Sequence, residues 1–533
     1  MRSCPSTDPI DEPGGGLGRR EFLGAAAGGA AAALLRPLSL SADSPRVAGE
    51  TVRVRGVVRD EAGRGLGGLA VSDGLQVEFT DEEGRYELLT NTRSTHVHLS
   101  LPPGYRIPMN PEGTARFYEP IRPDARGEME AVFDLERDPA GDRDHVLLLL
   151  ADPQTEDDYE MTLFHEETVP DARGVVEGLG GAHAFGIGCG DLMFDDLTMF
   201  PDYERACRRI GVPFFQVLGN HDLDLEARTT EAASAVYREH FGPEHFSFDR
   251  GEVHYVVLNN VFWHGRGYVG YISDAQLQWL RRDLARIEPG RTVIVAIHIP
   301  VGNTMDRRLD GNVPVGFTTQ NREALYEVLA PYQAYILSGH MHEKEHIIEG
   351  SIHEQVNGAV CGAWWSGPIC WDGTPNGYGI FHIRGEEVSW QYKSVGYDLD
   401  HQMRVYPHGI HPERPDEIVA NIWDWDPSWE VVWYEDGERR GPMRQEMGLD
   451  PLSIELHQGG DRPERRRWVE PRNTDHLFFA PASRAAGEIV VEARDRFGRL
   501  HTARPLPMAE HQARLEAAHP LSTALRPSSG ARV

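Results

Sequence analysis

The 533-residue sequence has little lysine, little cysteine and no long hydrophobic run beyond its N-terminal segment. Lys344 and Lys393 are the only lysines, so nearly all positive charge is arginine, and 83 acidic residues oppose 53 basic ones. The formal net charge of −30 excludes nucleic acid as a partner held by charge alone. No apolar stretch in the body of the chain reaches the ~20 residues that cross a bilayer, so we expect no transmembrane anchor in the mature chain.

The five cysteines include no CxxC pair of the kind that holds zinc. Cys4 lies in the N-terminal segment, and Cys189 and Cys207 lie in segments that we expect in the core of the central domain, where they would be structural. Cys361 and Cys370 flank a Gly- and Trp-rich loop, and their spacing fits either a disulfide or a reduced, buried pair. The cysteines therefore predict no metal site.

Residues 1–42 have the pattern of a targeting segment. Arg19-Arg20 precedes a run of alanine and glycine that ends at Leu35, and small residues follow. This segment resembles a twin-arginine signal peptide, which is read by the twin-arginine export machinery. The resemblance implies that the mature protein is exported, to the periplasm or beyond the cell, after it has folded and acquired its metal.

The rest of the chain divides by its hydrophobic pattern. Residues 49–140 and 390–508 contain short alternating segments separated by Gly-rich turns, which predict an N-terminal β-sandwich and a C-terminal β-rich domain. Residues 143–385 combine buried-strand patterns with helical ones and predict an α/β domain. The Pro-, Ser-, Ala- and Arg-rich residues 509–533 predict a disordered tail.

Five predicted strands of the α/β domain end in side chains that bind metals. The carboxyl ends of strands in such sheets face a common crevice, so we expect these side chains to share one site. In chain order they are Asp152 with Gln154, Asp191, Asn220 with His221 and Asp222, His298, and His340 with His342.

Taken in order, these residues resemble the motifs of the calcineurin-like metallophosphoesterases. The resemblance covers about residues 145–385 and implies an α/β fold with a central two-sheet β-sandwich flanked by helices. Val71-Ser72-Asp73-Gly74 and Pro102-Pro103-Gly104-Tyr105 resemble the carboxypeptidase regulatory-like domain that precedes some exported bacterial members. All-β domains are therefore expected at both ends of the catalytic domain.

The resemblance also implies a dinuclear centre of divalent Mn, Fe, Zn or Mg. Asp191 would bridge the two ions, and a hydroxide between them would attack phosphorus. His221 would act as an acid or stabilise the transition state, with Asp222 fixing its orientation. The remaining ligands would be Asp152 and His342 at the first ion and Asn220, His298 and His340 at the second.

The sequence departs from the family at Gln154, where the common motif has a histidine. Gln154 either binds the first ion, which would favour Mn, Fe or Mg over Zn, or lies behind the ligands. Trp364 and Trp365 follow the last histidines and either contact a bulky substrate group or pack in the core.

These features predict metal-dependent hydrolysis of a phosphate ester. We expect a phosphodiester, because the sequence shows no arginine cluster for a terminal phosphate dianion. The alternatives are a phosphomonoesterase or nucleotidase, and a non-catalytic cell-envelope binding protein with a vestigial metal site.

Overall fold

The computed structural model describes residues 51–309, 311, 313–460 and 462–524. The predicted signal segment, residues 1–42, lies outside this part of the chain. The described residues pack as one compact unit. Among them, no helix combines the length and the apolar character needed to cross a bilayer.

The N-terminal part forms two small sheets, as the alternating pattern predicts. Along the first strand Val52, Val54 and Val58 are buried while Arg55 and Arg59 are exposed, so one face joins the core. The strand orders are β4-β1-β7 and β3-β2-β5-β6. The strands are β1 Thr51–Asp60, β2 Ala70–Ser72, β3 Val77–Phe79, β4 Arg85–Asn91, β5 His96–Leu99, β6 Tyr118–Pro120 and β7 Glu128–Leu135.

The central part contains two packed sheets and a short hairpin, which agrees with the expected α/β fold. The five-stranded sheet has the order β10-β9-β8-β19-β20, the six-stranded sheet has the order β11-β12-β15-β16-β18-β17, and β13 pairs with β14. The strands are β8 Asp144–Leu150, β9 His183–Cys189, β10 Phe214–Val217, β11 Phe246–Arg250, β12 Val253–Val257, β13 Val261–Trp263, β14 Tyr268–Gly270, β15 Thr292–Ala296, β16 Gln333–Ser338, β17 Glu345–Glu349, β18 Ile352–Val356, β19 Gly377–Arg384 and β20 Glu387–Ser394.

Helices cover the outer faces of both sheets. In β8, Leu147 and Leu149 pack towards the second sheet, whereas Leu148 and Leu150 pack towards helices, so the strand is apolar on both faces. The helices are α1 Asp158–Leu163, α2 Val169–Gly178, α3 Phe200–Ile210, α4 Thr230–Ala233, α5 Ala235–Phe241, α6 Asp274–Leu284, α7 Met305–Arg308 and α8 Arg322–Leu329, with a π turn at Phe164–Thr168 and a 3-10 turn at Leu197–Met199.

The C-terminal part adds two four-stranded sheets with the orders β21-β22-β26-β25 and β24-β23-β27-β28. Their core consists of alternating positions such as Ile418, Ala420 and Val491. The elements are β21 Arg404–Tyr406, β22 Ile418–Asn421, β23 Glu430–Glu435, β24 Glu438–Pro442, β25 Arg444–Leu449, α9 Pro451–Gln458, β26 Asn473–Ala480, β27 Ile489–Arg494, β28 Leu500–Ala503, α10 Met508–Ala518 and α11 Pro520–Ala524. The predicted borders 49–140, 143–385 and 390–508 stay predictions.

The prediction of a disordered tail over 509–533 is wrong for its first part, which forms α10 and α11. The polar, Pro- and Ser-rich composition predicted disorder, but a few specific contacts with the rest of the protein stabilise these helices. Leu515 is buried, and the carboxylate of Glu167 accepts hydrogen bonds from the backbone N–H groups of Leu521 and Ser522, each at 3.0 Å. Residues 525–533 lie outside the described part of the chain.

The four cysteines in the described residues, Cys189, Cys207, Cys361 and Cys370, are buried and free. Of the two alternatives for the last pair, the structure has the reduced one. Desolvation raises the pKa of both thiols, which keeps them protonated and unreactive.

A buried charge cluster joins β11, β12 and α6. The ring of His254 lies between two carboxylates, with Nδ1 2.6 Å from Asp249 Oδ1 and Nε2 2.8 Å from Asp283 Oδ2, and Arg286 pairs with Asp249 at 2.8 Å. Burial raises the pKa of Asp249, but the hydrogen bond from His254 and the charge of Arg286 outweigh it and hold that pKa at about 2.

We expect Asp249→Asn to lower the free energy of unfolding by about 2 kcal/mol at pH 6. A carboxylate whose pKa falls on folding stabilises the protein fully above its unfolded pKa of 3.8, and this contribution is lost as the pH falls through about 2. The difference in free energy of unfolding between parent and variant should therefore be smaller by about 1 kcal/mol at pH 3 than at pH 6, as measured by urea unfolding. Asp134→Asn, which removes an exposed partner of Arg59, is the control and should cost under about 0.5 kcal/mol. A gap that widens on acidification would contradict the assignment.

Candidate metal centre

The predicted ligands lie just past the carboxyl ends of five strands. Strands β8, β9 and β10 run parallel in one sheet, and β15 and β16 run parallel in the other, so their ends deliver side chains to one edge. Each donor follows its strand by two or three residues. The donors are Asp152, Asp191, Asn220, His298 and His340.

Several of these residues have a backbone conformation that L-amino acids seldom adopt. Positive φ values occur at Asp152 (51°), Gln154 (39°), Asp191 (48°), His340 (70°) and His342 (52°). Such conformations cost free energy and persist where the surrounding fold enforces them, which is typical of functional sites.

The glycines of the motifs allow the loops to approach one another. A Cβ on Gly219 would lie 1.9 Å from the backbone nitrogen of Asp191, and one on Gly339 would lie 2.5 Å from Asp152 Oδ2. No side chain fits at either position, which explains why glycine precedes the donor residues there.

Asp191, His298 and His340 form the first group of donors, with all their ligand atoms within 4.8 Å of one another. His298 Nε2 lies 3.1 Å from Asp191 Oδ1 and 3.1 Å from Asn220 Oδ1. The other ring nitrogen, Nδ1, lies 2.9 Å from the carbonyl oxygen of Cys189, and a hydrogen bond there orients the ring with Nε2 towards the group.

The imidazole of His340 provides the test of whether this site fits a metal ion. Both of its ring nitrogens are buried and have no hydrogen-bond partner, which is costly unless something else binds them. Burial lowers the pKa of His340 to about 3, so the ring is neutral at pH 7 and keeps a free lone pair. A neutral imidazole such as that of His340, close to the carboxylate of Asp191, is a donor that Zn, Mn and Fe bind, so the residues fit a divalent ion.

Asp152, His342 and Gln154 form a second group beside the first. His342 Nε2 lies 3.9 Å from Asp152 Oδ1, and its Nδ1 lies 2.6 Å from the carbonyl oxygen of Gly362. Gln154 is buried, and its amide nitrogen donates to Asp191 Oδ2 at 3.3 Å. Burial raises the pKa of Asp152 to about 8, because the charged form of a carboxylate is unfavourable in these surroundings.

Comparison with known families assigns the chain. The model of the N-terminal domain of calcineurin-like phosphoesterases matches residues 52–138, and that of their C-terminal domain matches residues 354–501. Between these matches lie most of the buried donor groups. The chain belongs to the calcineurin-like phosphoesterases. Members of this family are metallophosphoesterases, enzymes that hydrolyse phosphate esters.

Curated relatives of this phosphoesterase include the serine/threonine-protein phosphatase CPPED1 of two species. The human protein is 25% identical over 297 residues, which is 51% of this chain and 90% of the relative. The Pongo abelii protein is 27% identical over 200 residues, 36% of this chain and 60% of the relative, so the chain spans less than two thirds of that relative's length.

The solved structures that the chain resembles include two phosphatases. A dimetal phosphatase from Danio rerio is 16% identical with a TM-score of 0.31, and the match covers 47% of this chain and 96% of that one. A purple acid phosphatase from yellow lupin is 10% identical with a TM-score of 0.34, covering 64% and 67%. TM-scores this low add nothing to the assignment of the phosphoesterase.

The partner of His221 differs from the prediction. Its Nδ1 lies 2.7 Å from Asp195 Oδ1, and the ring of Phe194 stacks on it at 4.4 Å. Asp222 does not orient the ring, so that part of the prediction is wrong. Burial lowers the pKa of His221, but the charges of Asp191 and Asp195 outweigh it and raise the value.

Asp222 instead braces the loops that carry the donors. Its carboxylate accepts the backbone N–H groups of Leu192 at 2.8 Å, Met193 at 3.1 Å and Gly219 at 2.8 Å. Sequence alone favoured Asp222 because it adjoins His221. The one sequence feature that could have pointed to Asp195 is its position four residues after Asp191, on the same loop.

The two tryptophans separate into a site residue and a packing residue. Trp364 stacks on the ring of His342 at 4.1 Å. Trp365 is buried and its indole N–H donates to the carbonyl oxygen of Pro153 at 3.0 Å, so it supports the loop of Asp152 and Gln154 from behind. Trp365 is therefore packing, and only Trp364 lies beside the donors.

We expect Asp195→Asn and Asp222→Asn to fail in different ways. Loss of the carboxylate beside His221 should lower turnover of an activated phosphate ester about 10- to 100-fold while metal content and thermal stability stay unchanged. Asp222→Asn should lower stability and metal content, because the two carboxylate oxygens accept three backbone N–H groups and the substitution replaces one of these oxygens with an NH2 donor. Elemental analysis, thermal unfolding and turnover measured on both variants check this. Loss of metal in Asp195→Asn would contradict the separation.

Proposed function

We propose that this phosphoesterase hydrolyses a phosphodiester at a centre that holds two divalent ions of Mn, Fe, Zn or Mg. The observation that carries the proposal is the convergence of two adjacent donor groups around Asp191, with the unpartnered imidazole of His340 in one of them. Asp191 is shared between the groups, since His298 contacts one of its oxygens and Gln154 the other.

Each donor group would bind one of the two ions. Asp152 and His342 with Asp191 would hold the first, and Asn220, His298 and His340 with Asp191 would hold the second. When bound, the ions supply neutralisation of charge on the phosphoryl oxygens and lower the pKa of a water molecule. The chain's own contribution is to fix these donors on rigid strand ends.

His221 moves the proton in this proposal. Its Nδ1 is engaged by Asp195, which leaves Nε2 to donate to a phosphoryl oxygen or to the leaving alkoxide. The side chain is 25% exposed, so an ester in the crevice can reach it. A positioned acid of this kind contributes about 10²- to 10⁴-fold in rate.

Gln154 acts behind the ligands in this scheme. Its amide nitrogen faces Asp191 and its amide oxygen faces the thiol of Cys361, 3.9 Å away. A hydrogen bond donated to Asp191 fixes the carboxylate that both ions would share, which is a role for an orienting residue.

The preference for a diester rests on the ion pairs of two arginines, Arg465 and Arg466, on a loop beside the site. Arg465 pairs with Asp157 and Glu160, and Arg466 pairs with Glu156 and Glu160. Their charges are neutralised by carboxylates, which suits the single negative charge of a diester better than the dianion of a monoester.

A phosphomonoester is the second candidate. The curated relatives are named serine/threonine-protein phosphatases, and phosphoserine and phosphothreonine are monoesters. The same donor groups and His221 would serve this reaction, so the substrate pair below separates the two.

We expect the purified enzyme, loaded separately with Mn, Fe, Zn or Mg, to release p-nitrophenol faster from bis-p-nitrophenyl phosphate than from p-nitrophenyl phosphate. His221→Ala should lower turnover about 100-fold or more at unchanged metal content. Faster release from the monoester would overturn the diester preference, and full activity of His221→Ala would overturn the role of His221.

We also propose that the protein is exported through the twin-arginine machinery to the periplasm or beyond the cell. The support is the Arg19-Arg20 pair before an Ala- and Gly-rich run. Replacing Arg19 and Arg20 together with lysine should leave the protein in the cytoplasm, as followed by cell fractionation. Unchanged export of that variant would refute the proposal.

A further inference from the structure

A loop of the C-terminal part, residues 462–472, is anchored against the catalytic domain at both of its ends. It connects α9 to β26. At its first end Arg465 Nη2 lies 2.7 Å from Asp157 Oδ2, just before α1. At its second end Val469 is buried, and the Arg472 guanidinium lies 3.8 Å above the ring of Trp371. The loop is therefore held in one place before any substrate arrives.

This loop contacts the aromatic neighbours of three histidines of the site. Each contact consists of one loop side chain on an aromatic ring that in turn lies against a histidine ring. The contacts are Arg466 over Phe194 (4.7 Å), which stacks on His221 (4.4 Å); Trp468 against Trp364 (4.7 Å), which stacks on His342 (4.1 Å); and Arg472 over Phe317 (6.0 Å), which lies 6.1 Å from His340.

Trp468 differs from the other tryptophans near it because it is 48% exposed. Trp365 and Trp371 are buried and have packing roles. Trp468 packs on Trp364 and leaves about half of its surface in contact with solvent, whereas Arg465, Val469 and Arg472 anchor the loop. An exposed, fixed aromatic ring beside a catalytic site offers a stacking surface.

We propose that Trp468 contacts the substrate and stacks on a planar aromatic ring in the alcohol portion of the ester. This inference rests on the proposed function, because the ester must bind at the metal centre for its alcohol group to reach the loop. The site thereby prefers aryl or nucleoside esters over esters of small aliphatic alcohols.

The test compares phenyl, adenosine 5′- and ethyl phosphate esters, in whichever of the mono- or diester classes the enzyme hydrolyses. Trp468→Ala should lower kcat/KM about 10-fold for the two ring-bearing esters, mainly through KM, because stacking contributes to binding. The ethyl ester should change less than about twofold. Each variant is compared with the parent on the same ester, so the differing reactivity of the leaving groups cancels.

Two variants serve as controls. Trp468→Phe keeps a ring and should restore most of the loss, whereas Phe79→Ala removes an aromatic side chain that is 50% exposed on β3 and should change nothing. A selective loss for the phenyl ester alone would identify an aryl group as the preferred source of the ring, and a loss for the adenosine ester alone would identify a nucleobase.

Equal losses on all three esters would overturn the proposal and assign Trp468 to positioning His342 through Trp364. Unchanged kcat/KM for every ester would also overturn it. Binding of phenylphosphonate and ethylphosphonate, measured by calorimetry, separates this proposal from the hydrolytic one, since neither compound is an ester. If Trp468→Ala binds phenylphosphonate more weakly than the parent does but binds ethylphosphonate equally well, stacking is supported even if no ester is turned over. If parent and variant bind phenylphosphonate with equal affinity, the stacking proposal is refuted.

Discussion

The burial of ionisable donors at one shared edge of two sheets is the constraint on which the rest of the structure depends. Asp152 and Asp191 are almost fully buried and lie close together, an arrangement that is unfavourable for two carboxylates without a cation. Strained backbone at both residues, and at His340 and His342, adds to the cost. The apolar strands behind them supply the stability that holds this arrangement, as the buried leucines of β8 do on both faces.

The segment matched by the C-terminal family model contributes to the site as well as the central sheets do. The match to the C-terminal family model begins at residue 354, within β18, and so includes the segment that braces the donors. The carbonyl oxygen of Asp152 accepts the N–H of Cys361 at 3.1 Å, and that of Gly362 lies 2.6 Å from His342 Nδ1. The loop 462–472 packs against the aromatic rings of the same region. The family match that begins at residue 354 therefore includes residues that support the donors.

Sequence patterns predicted the donors better than the residues that orient them. A buried apolar strand followed by a polar residue is a local signal, and it placed Asp152, Asp191 and His298 at strand ends. The pairing of His221 with Asp195 depends on how two loops meet, which no local pattern encodes. The tail prediction failed for the same reason, because Leu515 finds its contacts only in the folded chain.

The contact between Glu167 and α11 has a consequence for synthesis of the protein. Glu167 lies in the π turn between α1 and α2, and its carboxylate is satisfied by N–H and hydroxyl groups as far as 355 residues downstream, at Ser522. A nascent chain exposes this carboxylate, and the surface of the helices around it, until Ser522 has left the ribosome. Native packing around α2 is therefore completed only after a further 355 residues have been synthesised, and a nascent chain stalled before α11 would display an incomplete catalytic domain to chaperones.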